Sequence, residues 1–440
     1  MIRRLYSLAM LGAQPLLRRK LRRRGVAEPV YLEAIDERFG RYPTAAVPGA
    51  LWIHAVSLGE TRAAAILVEE LRRRQPMLRL LLTHGTATGR IEGGRLLRAG
   101  DAQAWLPWDT PCAVGLFLDH FRPCAGVLME TEVWPNLAAA SKDRGLPLVL
   151  ANARLSEKSL RHALRLAPLS RPAYASLAAV WAQTEADAKR LARAGAVVTG
   201  VLGNLKFDAS PDGAQLEQGR HWRVGLHKPV VMFASSREGE ETGLFRVLEK
   251  SRAEARVDAE ARAGQARSDT ASLTDGIQWL VVPRHPQRFD EVTALAAQAG
   301  LRTSRRSAWD GAPQSTDVWI GDSVGEMALY YCLADVALLG GSFEPLGGQN
   351  LIEAAACGCP VVMGLHTFNF AEAAELAEAA GCALRVLDLQ EAVRRAVEVA
   401  ADSGRRIDMA EAALRFAGDH RGAAQKTAEA VLALIGSIAE

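Results

Sequence analysis

The sequence predicts an α/β protein made of two doubly wound halves, and three observations lead there. Short apolar runs recur along all 440 residues and alternate with helix-patterned stretches, the rhythm of parallel strands joined by crossing helices. The chain exceeds what a single hydrophobic core serves, so two domains are expected. A cluster of chain breakers, Asp208-Ala-Ser-Pro-Asp-Gly213, separates two such series of strands. Two halves around one linker form an arrangement that encloses a ligand in an interdomain cleft.

The first half carries predicted strands at 51–56, 79–83, 104–106, 126–129, 146–151, 179–182 and 197–201, with helices at 60–74 and 135–144 among the connections. The second half restarts at 229–234 and continues at 278–282, 317–320, 336–339 and 361–363. Residues 251–276 interrupt it with Arg, Glu, Asp, Ala and Ser, and read as a polar insert. The tail from Arg406 reads as helix to the end. The expected division is therefore an N-terminal segment at 1–25, a first domain at 26–212 and a second at 213–440.

The N-terminal segment joins an apolar run, Leu5 to Leu17, to Arg18-Arg-Lys-Leu-Arg-Arg-Arg24, which places six cations in seven residues. A helix of that apolar run would be about 20 Å long against a hydrocarbon core of about 30 Å, and Gly12 and Pro15 interrupt it. A secretory signal would carry its basic residues before the apolar run. The segment is read as a short membrane anchor whose cations meet anionic headgroups, with a solvated basic helix as the alternative. It shows no partner pattern within the domains. The overall formal charge of +3 argues against nucleic acid as a partner. Of six cysteines, none has zinc spacing, and small buried thiols in a reducing compartment are expected.

The segment Gly340-Gly-Ser-Phe-Glu-Pro-Leu-Gly-Gly-Gln-Asn-Leu-Ile-Glu353 carries the most chemistry. Two Gly pairs follow a buried strand and make a loop whose backbone can approach a ligand closely. Asn350 can cap the helix starting at Leu351, and Glu353, one turn in, could accept from a ribose. A Gly-rich loop feeding a helix N-terminus favours an anion. The spacing is not the dinucleotide fingerprint and lacks the P-loop Lys, which leaves nucleotide-sugar chemistry ahead.

Other strand ends add polar groups. Ser57 and Glu60 stand at capping-box spacing, yet Glu60 also lies at the carboxyl end of the first strand, where a carboxylate can act as a base. Glu130 and Glu132 flank a rigid corner before Pro135, with no third acid or His at metal-ligand spacing. Lys206 is either a solvated charge or a partner for a sugar carboxylate or phosphate. Pro283-Arg-His-Pro286 offers a planar guanidinium for phosphate, and Ser323 with Glu326 makes a second capping-box spacing. His54 lies on a strand and reads as a packing residue or one that supports the site from behind. No Ser-His-Asp order or G-x-S-x-G elbow appears.

The Gly-Gly-Gln-Asn-x-x-Glu element resembles the donor-binding region of GT-B glycosyltransferases, whose two Rossmann-like domains face a cleft. Together with His366-Thr-Phe-Asn-Phe370 it is similar to the transferases of 3-deoxy-D-manno-octulosonic acid (Kdo), and the resemblance runs from about Leu5 to about Phe370. It departs at the polar insert and at Ser342–Leu346. It implies an inverting, metal-independent glycosyltransferase without cofactor, moving Kdo from CMP-Kdo to the lipid A precursor in lipopolysaccharide synthesis at the cytoplasmic face of the inner membrane. By resemblance Glu60 is the base, Glu130 the second essential acid and Lys206 a functional cation. It further implies CMP-Kdo contacts from Ser235, Ser236, Arg284, His285, Val324, Gly325, Glu326, Gly347, Gly348, Asn350, Leu351, Ile352 and Glu353. A UDP-sugar 2-epimerase of the same fold and a non-catalytic, membrane-docked nucleotide-sugar-binding protein are the alternatives.

Overall fold

Near-continuous apolar strands, buried along their whole length, require cover on both faces, and a parallel sheet with helices on either side provides it. The structure, a computed structural model that describes residues 2–261 and 276–439, contains two such sheets. The strands are β1 (Leu51–His54), β2 (Leu80–His84), β3 (Ala102–Trp105), β4 (Ala125–Met129), β5 (Leu148–Ala153), β6 (Ala179–Ala182) and β7 (Val198–Val201) in the first. The second holds β8 (Val230–Ser236), β9 (Gln278–Pro283), β10 (Thr303–Arg305), β11 (Val318–Ile320), β12 (Val336–Leu339), β13 (Val361–Met363) and β14 (Ala383–Arg385). The first sheet runs β3-β2-β1-β4-β5-β6-β7 and the second β10-β11-β9-β8-β12-β13-β14, with every pairing parallel. Both are doubly wound, so the loops after the strands gather at one edge of each sheet.

The sequence did not reveal β10 and β14. Both are three-residue edge strands, and Thr303-Ser-Arg305 has no apolar run to signal it. Of the expected insert at 251–276, the part from 251 to 261 continues the helix Glu240–Ala261, and residues 262–275 lie outside the described residues.

The chain divides into two compact units, Met1–Asp208 with His420–Glu440, and Ala209–Asp419. The division falls within the breaker cluster. It differs from the sequence reading at the tail, which was assigned to the second half as one continuous helix. The helix Ser403–Asp419 ends before Gly422, whose φ is +101°, and a separate helix, Ala423–Ala439, begins. The reason is chemical. Asp208 accepts from the N–H groups of Gly422 (2.6 Å) and Ala424 (2.7 Å), and buried Ala423, Ala428 and Val431 pack in the core beneath the helix Leu58–Arg74.

The N-terminal segment also differs from expectation. It forms the helices Ile2–Gly12 and Gln14–Ala27, and no described helix is long and apolar enough to cross a membrane, so a single-pass anchor is not what the structure shows. Nor does the segment lack partners. The Ser7 hydroxyl donates to Asn136 Oδ1 at 3.0 Å, Leu21 packs with Tyr31 and Ala87, and the Arg18 guanidinium lies 3.7 Å over the Phe39 ring.

Asp208→Ala removes a carboxylate that takes up two otherwise orphaned helix N–H groups. The expected cost is about 1–2 kcal/mol, seen as a fall of several degrees in the melting temperature of the first unit, with the fold retained by circular dichroism.

Candidate active site

Glu60, Glu130 and Lys206 come from three different strand ends, and the structure brings them together in the first unit. Ser57 caps the helix Leu58–Arg74, which starts immediately after β1. The capping geometry is shifted from the expected box: the Glu60 carboxylate accepts from Val56 N–H at 2.9 Å and from the Ser57 hydroxyl at 2.9 Å. Those two bonds leave lone pairs on both oxygens, so the helix-starting role and a base role coexist. Burial, with the nearby Glu130 charge adding to it, pushes the Glu60 pKa up to about 7, against the opposing bonds from Val56 and Ser57. A carboxyl poised there changes protonation near neutrality, as a general base must.

Glu130 directly follows β4 and lies in the left-handed region, at φ +59°, a conformation that costs a non-glycine residue of order 1–2 kcal/mol. Its side chain is almost fully buried and meets Arg154 Nε at 2.7 Å and Lys206 Nζ at 3.1 Å. Lys206 is therefore paired with an acid of its own unit rather than standing as a solvated charge. Its position depends on Asn152, also left-handed at φ +50°, whose Oδ1 accepts from Leu205 N–H at 3.1 Å. Asn152 and Arg154 were missed in the sequence. Their signal was only the polar interruption Ala151-Asn-Ala-Arg154 at a strand end. His54 is fully buried against Thr83, and burial drives its pKa down to about 3, so it stays neutral as a packing residue.

A cavity of about 950 Å3 opens beside the Glu130 loop. Thr131, Val133, Trp134, Leu155, Leu169 and Tyr174 line it, Tyr6 of the first helix contributes to its wall, and Lys158, Arg161 and Arg165 add positive charge.

In the second unit the predicted donor residues lie on the carboxyl edge of one sheet. Ser235 and Ser236 close β8, Arg284 and His285 follow β9, Val324 to Glu326 follow β11, and Gly347 to Glu353 follow β12. Several are linked: Arg284 N–H meets Ser236 O at 3.0 Å, and Arg284 Nε donates to Gln349 Oε1 at 3.2 Å. His285 is pushed below its ordinary pKa by burial and then by the cations of Arg237, Arg284 and Arg288, which defines a positive cluster suited to phosphate.

Three local readings change. A Cβ on Gly340 would sit 2.2 Å from Ser235 O, and one on Gly347 would sit 2.4 Å from Asn369 Nδ2, so these glycines serve close chain packing. Ser236 is buried, its hydroxyl donating to Glu241 at 2.8 Å. Ser323 and Glu326 do not form a capping box: the helix starts only at Met327, Gly325 turns at φ +89°, and Glu326 meets Arg306 at 3.0 Å. Asn350 does cap the six-residue helix Leu351–Ala356, accepting from Ile352 N–H at 3.1 Å and donating to Glu353.

Two parallel Rossmann-like sheets with acids at the edge of one and a cationic, glycine-rich edge on the other define a protein of the GT-B class. In fold the chain is similar to UDP-GlcNAc 2-epimerase from Neisseria meningitidis (TM-score 0.55, 14% identity, covering 87% of this chain and 99% of that one). It is likewise similar to a glycosyltransferase from Rickettsia africae (TM-score 0.53, 13% identity, 90% and 100%). Residues 33–209 match the model of the 3-deoxy-D-manno-octulosonic-acid transferase (Kdo transferase) family. The chain is 45% identical to the 3-deoxy-D-manno-octulosonic acid transferase of Bordetella pertussis over 98% of both chains, and 31% identical to that of Haemophilus influenzae over 96% of both. The chain belongs to the Kdo transferase family of glycosyltransferases.

A general-base role for Glu60 would carry a pH dependence of its own. Its raised pKa means the carboxyl is protonated below about 7 and cannot accept a proton there, so the rate should fall on the acid side with a midpoint near 7. Replacing the neighbouring charge by Glu130→Gln should move the residual activity's midpoint to lower pH, because Glu130 is one of the groups raising Glu60. Initial rates between pH 5 and about 9 check both signs.

Proposed function

We propose that this chain transfers Kdo from CMP-Kdo to a hydroxyl of the lipid A precursor, with inversion, at the cytoplasmic membrane surface. The observation that carries the reading is Glu60: a buried carboxylate at a strand end, with its pKa lifted to about 7 and free lone pairs, next to a second acid held by two cations. Family membership supports Kdo as the transferred sugar.

The acceptor oxygen attacks the anomeric carbon as Glu60 takes its proton, and the bond from that carbon to the CMP phosphate oxygen breaks. The departing CMP carries the electron pair away as a phosphomonoester. Arg237, Arg284 and the edge of the second sheet supply positive charge for it. Charge builds toward an oxocarbenium-like carbon. Glu130, fixed by Arg154 and Lys206, presents a carboxylate edge suited to that charge. The cavity beside Thr131 has the chemistry of a phosphorylated, acylated acceptor, apolar within and cationic around. Among the described residues no group of three or more His, Cys, Asp or Glu is placed to hold a metal ion.

The N-terminal helices fit a protein that lies in the membrane interface. One side is docked on the first unit, while Leu5, Leu8 and Leu16 are each 60% exposed or more and Arg19, Lys20, Arg22 and Arg23 face solvent. Because docking is specific, deletion of 1–24 should also lower the unit's stability, through loss of the Ser7 and Leu21 contacts.

Incubation with CMP-Kdo and lipid A precursor in excess chelator, with products read by mass, tests the reaction and counts the Kdo residues added. Glu60→Gln keeps the shape and loses the proton acceptor, so turnover should fall about 10²–10⁴-fold with CMP-Kdo binding nearly intact. Near-normal turnover of a folded Glu60→Gln protein would leave only the helix-starting role. For the membrane, Leu5→Ser with Leu8→Ser should reduce flotation with anionic vesicles at high salt, where the cations are screened. Unchanged flotation would place the contact elsewhere.

A further inference from the structure

Each unit carries a Gly-Glu step where a helix follows the first strand of its sheet in chain order: Gly59-Glu60 after β1 and Gly239-Glu240 after β8. Both carboxylates are largely buried, and their hydrogen bonding sets them apart. Among the described residues Glu60 accepts only from its own turn. Glu240 accepts from Gly341 N–H with both oxygens, at 2.8 and 2.9 Å, from Phe343 N–H at 3.4 Å, and from Arg237 N–H at 2.8 Å. Three backbone N–H groups thus converge on this one carboxylate, that of Gly341 shared between its two oxygens. Glu240 is thus engaged by backbone N–H groups from two separate turns, and Gly341 and Phe343 stand about a hundred residues further along the chain.

Glu241 ties the neighbouring elements in the same way. Its Oε1 accepts from the Ser236 hydroxyl at 2.8 Å and from Arg288 Nη1 at 2.7 Å, with the side chain wholly buried. Between these anchored points Ser235 is held at φ +53°, its carbonyl so near Gly340 that no Cβ fits there. The Arg237 Cγ lies 3.6 Å from where a Gly341 Cβ would be, which sets this side chain alongside the glycine turn.

We infer that Glu240 is a positioning residue for the sugar donor: its carboxylate fastens the Gly341–Phe343 turn to the Ser235–Arg237 turn and so fixes Arg237 and the glycine loop where the donor phosphate is received. Because that carboxylate already takes up the Gly341 and Phe343 N–H groups, the phosphate is met by the guanidinium groups of Arg237 and Arg284, not by the backbone of this turn. The inference rests on the CMP-Kdo reading given above.

The test uses the full chain with Glu240→Gln, whose amide cannot accept from every N–H around it. The KM for CMP-Kdo and the Kd for CMP should rise about tenfold or more, with kcat at saturating donor within about threefold of wild type and the KM for the lipid acceptor unchanged. A general loss of folded protein would instead scale kcat and leave both KM values alone. Arg237→Ala, a change in a partly exposed side chain, should raise the Kd for CMP even if Glu240→Gln fails to fold. A Glu240→Gln protein that melts like wild type and binds CMP as tightly overturns the inference, and so does an Arg237→Ala protein with unchanged CMP affinity. A wild-type protein with no affinity for CMP overturns the donor reading itself.

Discussion

Glu130 places a carboxylate inside the first unit, at the end of β4, and is tolerated there because Arg154 and Lys206 stand 2.7 and 3.1 Å from it. A buried acid without such partners would be neutral or would break the local fold. Much of the site is arranged around this pairing. Asn152 takes a left-handed turn and holds the Leu205 N–H, which places the Lys206 turn. Glu130 itself accepts the same unfavourable backbone conformation, so two strained residues stand at adjacent strand ends. Strain concentrated where acids meet cations marks a site whose geometry is held by its surroundings. The field of Glu130 then reaches Glu60 and helps to keep its proton affinity near neutrality.

The two sheets solve the same structural problem with different chemistry at their edges. In the first, acids dominate and one of them keeps lone pairs for a proton. In the second, Glu240 and Glu241 tie loops together, and Arg237, Arg284 and His285 stand at the edge. The two Gly-Glu steps differ in which N–H groups surround them, Glu60 being bonded within its own turn and Glu240 to a distant one.

Much of this was legible in the sequence. The strands that form the centres of both sheets are continuous apolar runs, and each was readable as such. Family resemblance picked out Glu60, Glu130 and Lys206 together, and the structure sets Lys206 3.1 Å from Glu130 with Glu60 within reach of the Glu130 charge. What escaped detection has physical causes. The edge strands β10 and β14 are too short and too polar to carry a period. Asn152 and Arg154 act through a turn conformation and one ion pair, neither of which leaves a pattern. The tail belongs with the first unit because Asp208 reaches across more than two hundred residues to start its last helix. The N-terminal helices showed no partner pattern because their contacts include a hydroxyl, a leucine and cations over rings, none of which repeats along the sequence. Local sequence cannot display such long-range partners.

The account turns on the protonation of one side chain, and that can be observed without turnover. Carbon-detected titration of the carboxyl groups of isotopically labelled protein, with the Glu60 resonance assigned by comparison with Glu60→Gln, gives its midpoint directly. The predicted midpoint lies near 7, moving down when Glu130 is replaced by Gln. A midpoint at the ordinary glutamate value of about 4.3, unchanged by that replacement, would contradict the claim that burial beside Glu130 makes Glu60 the base.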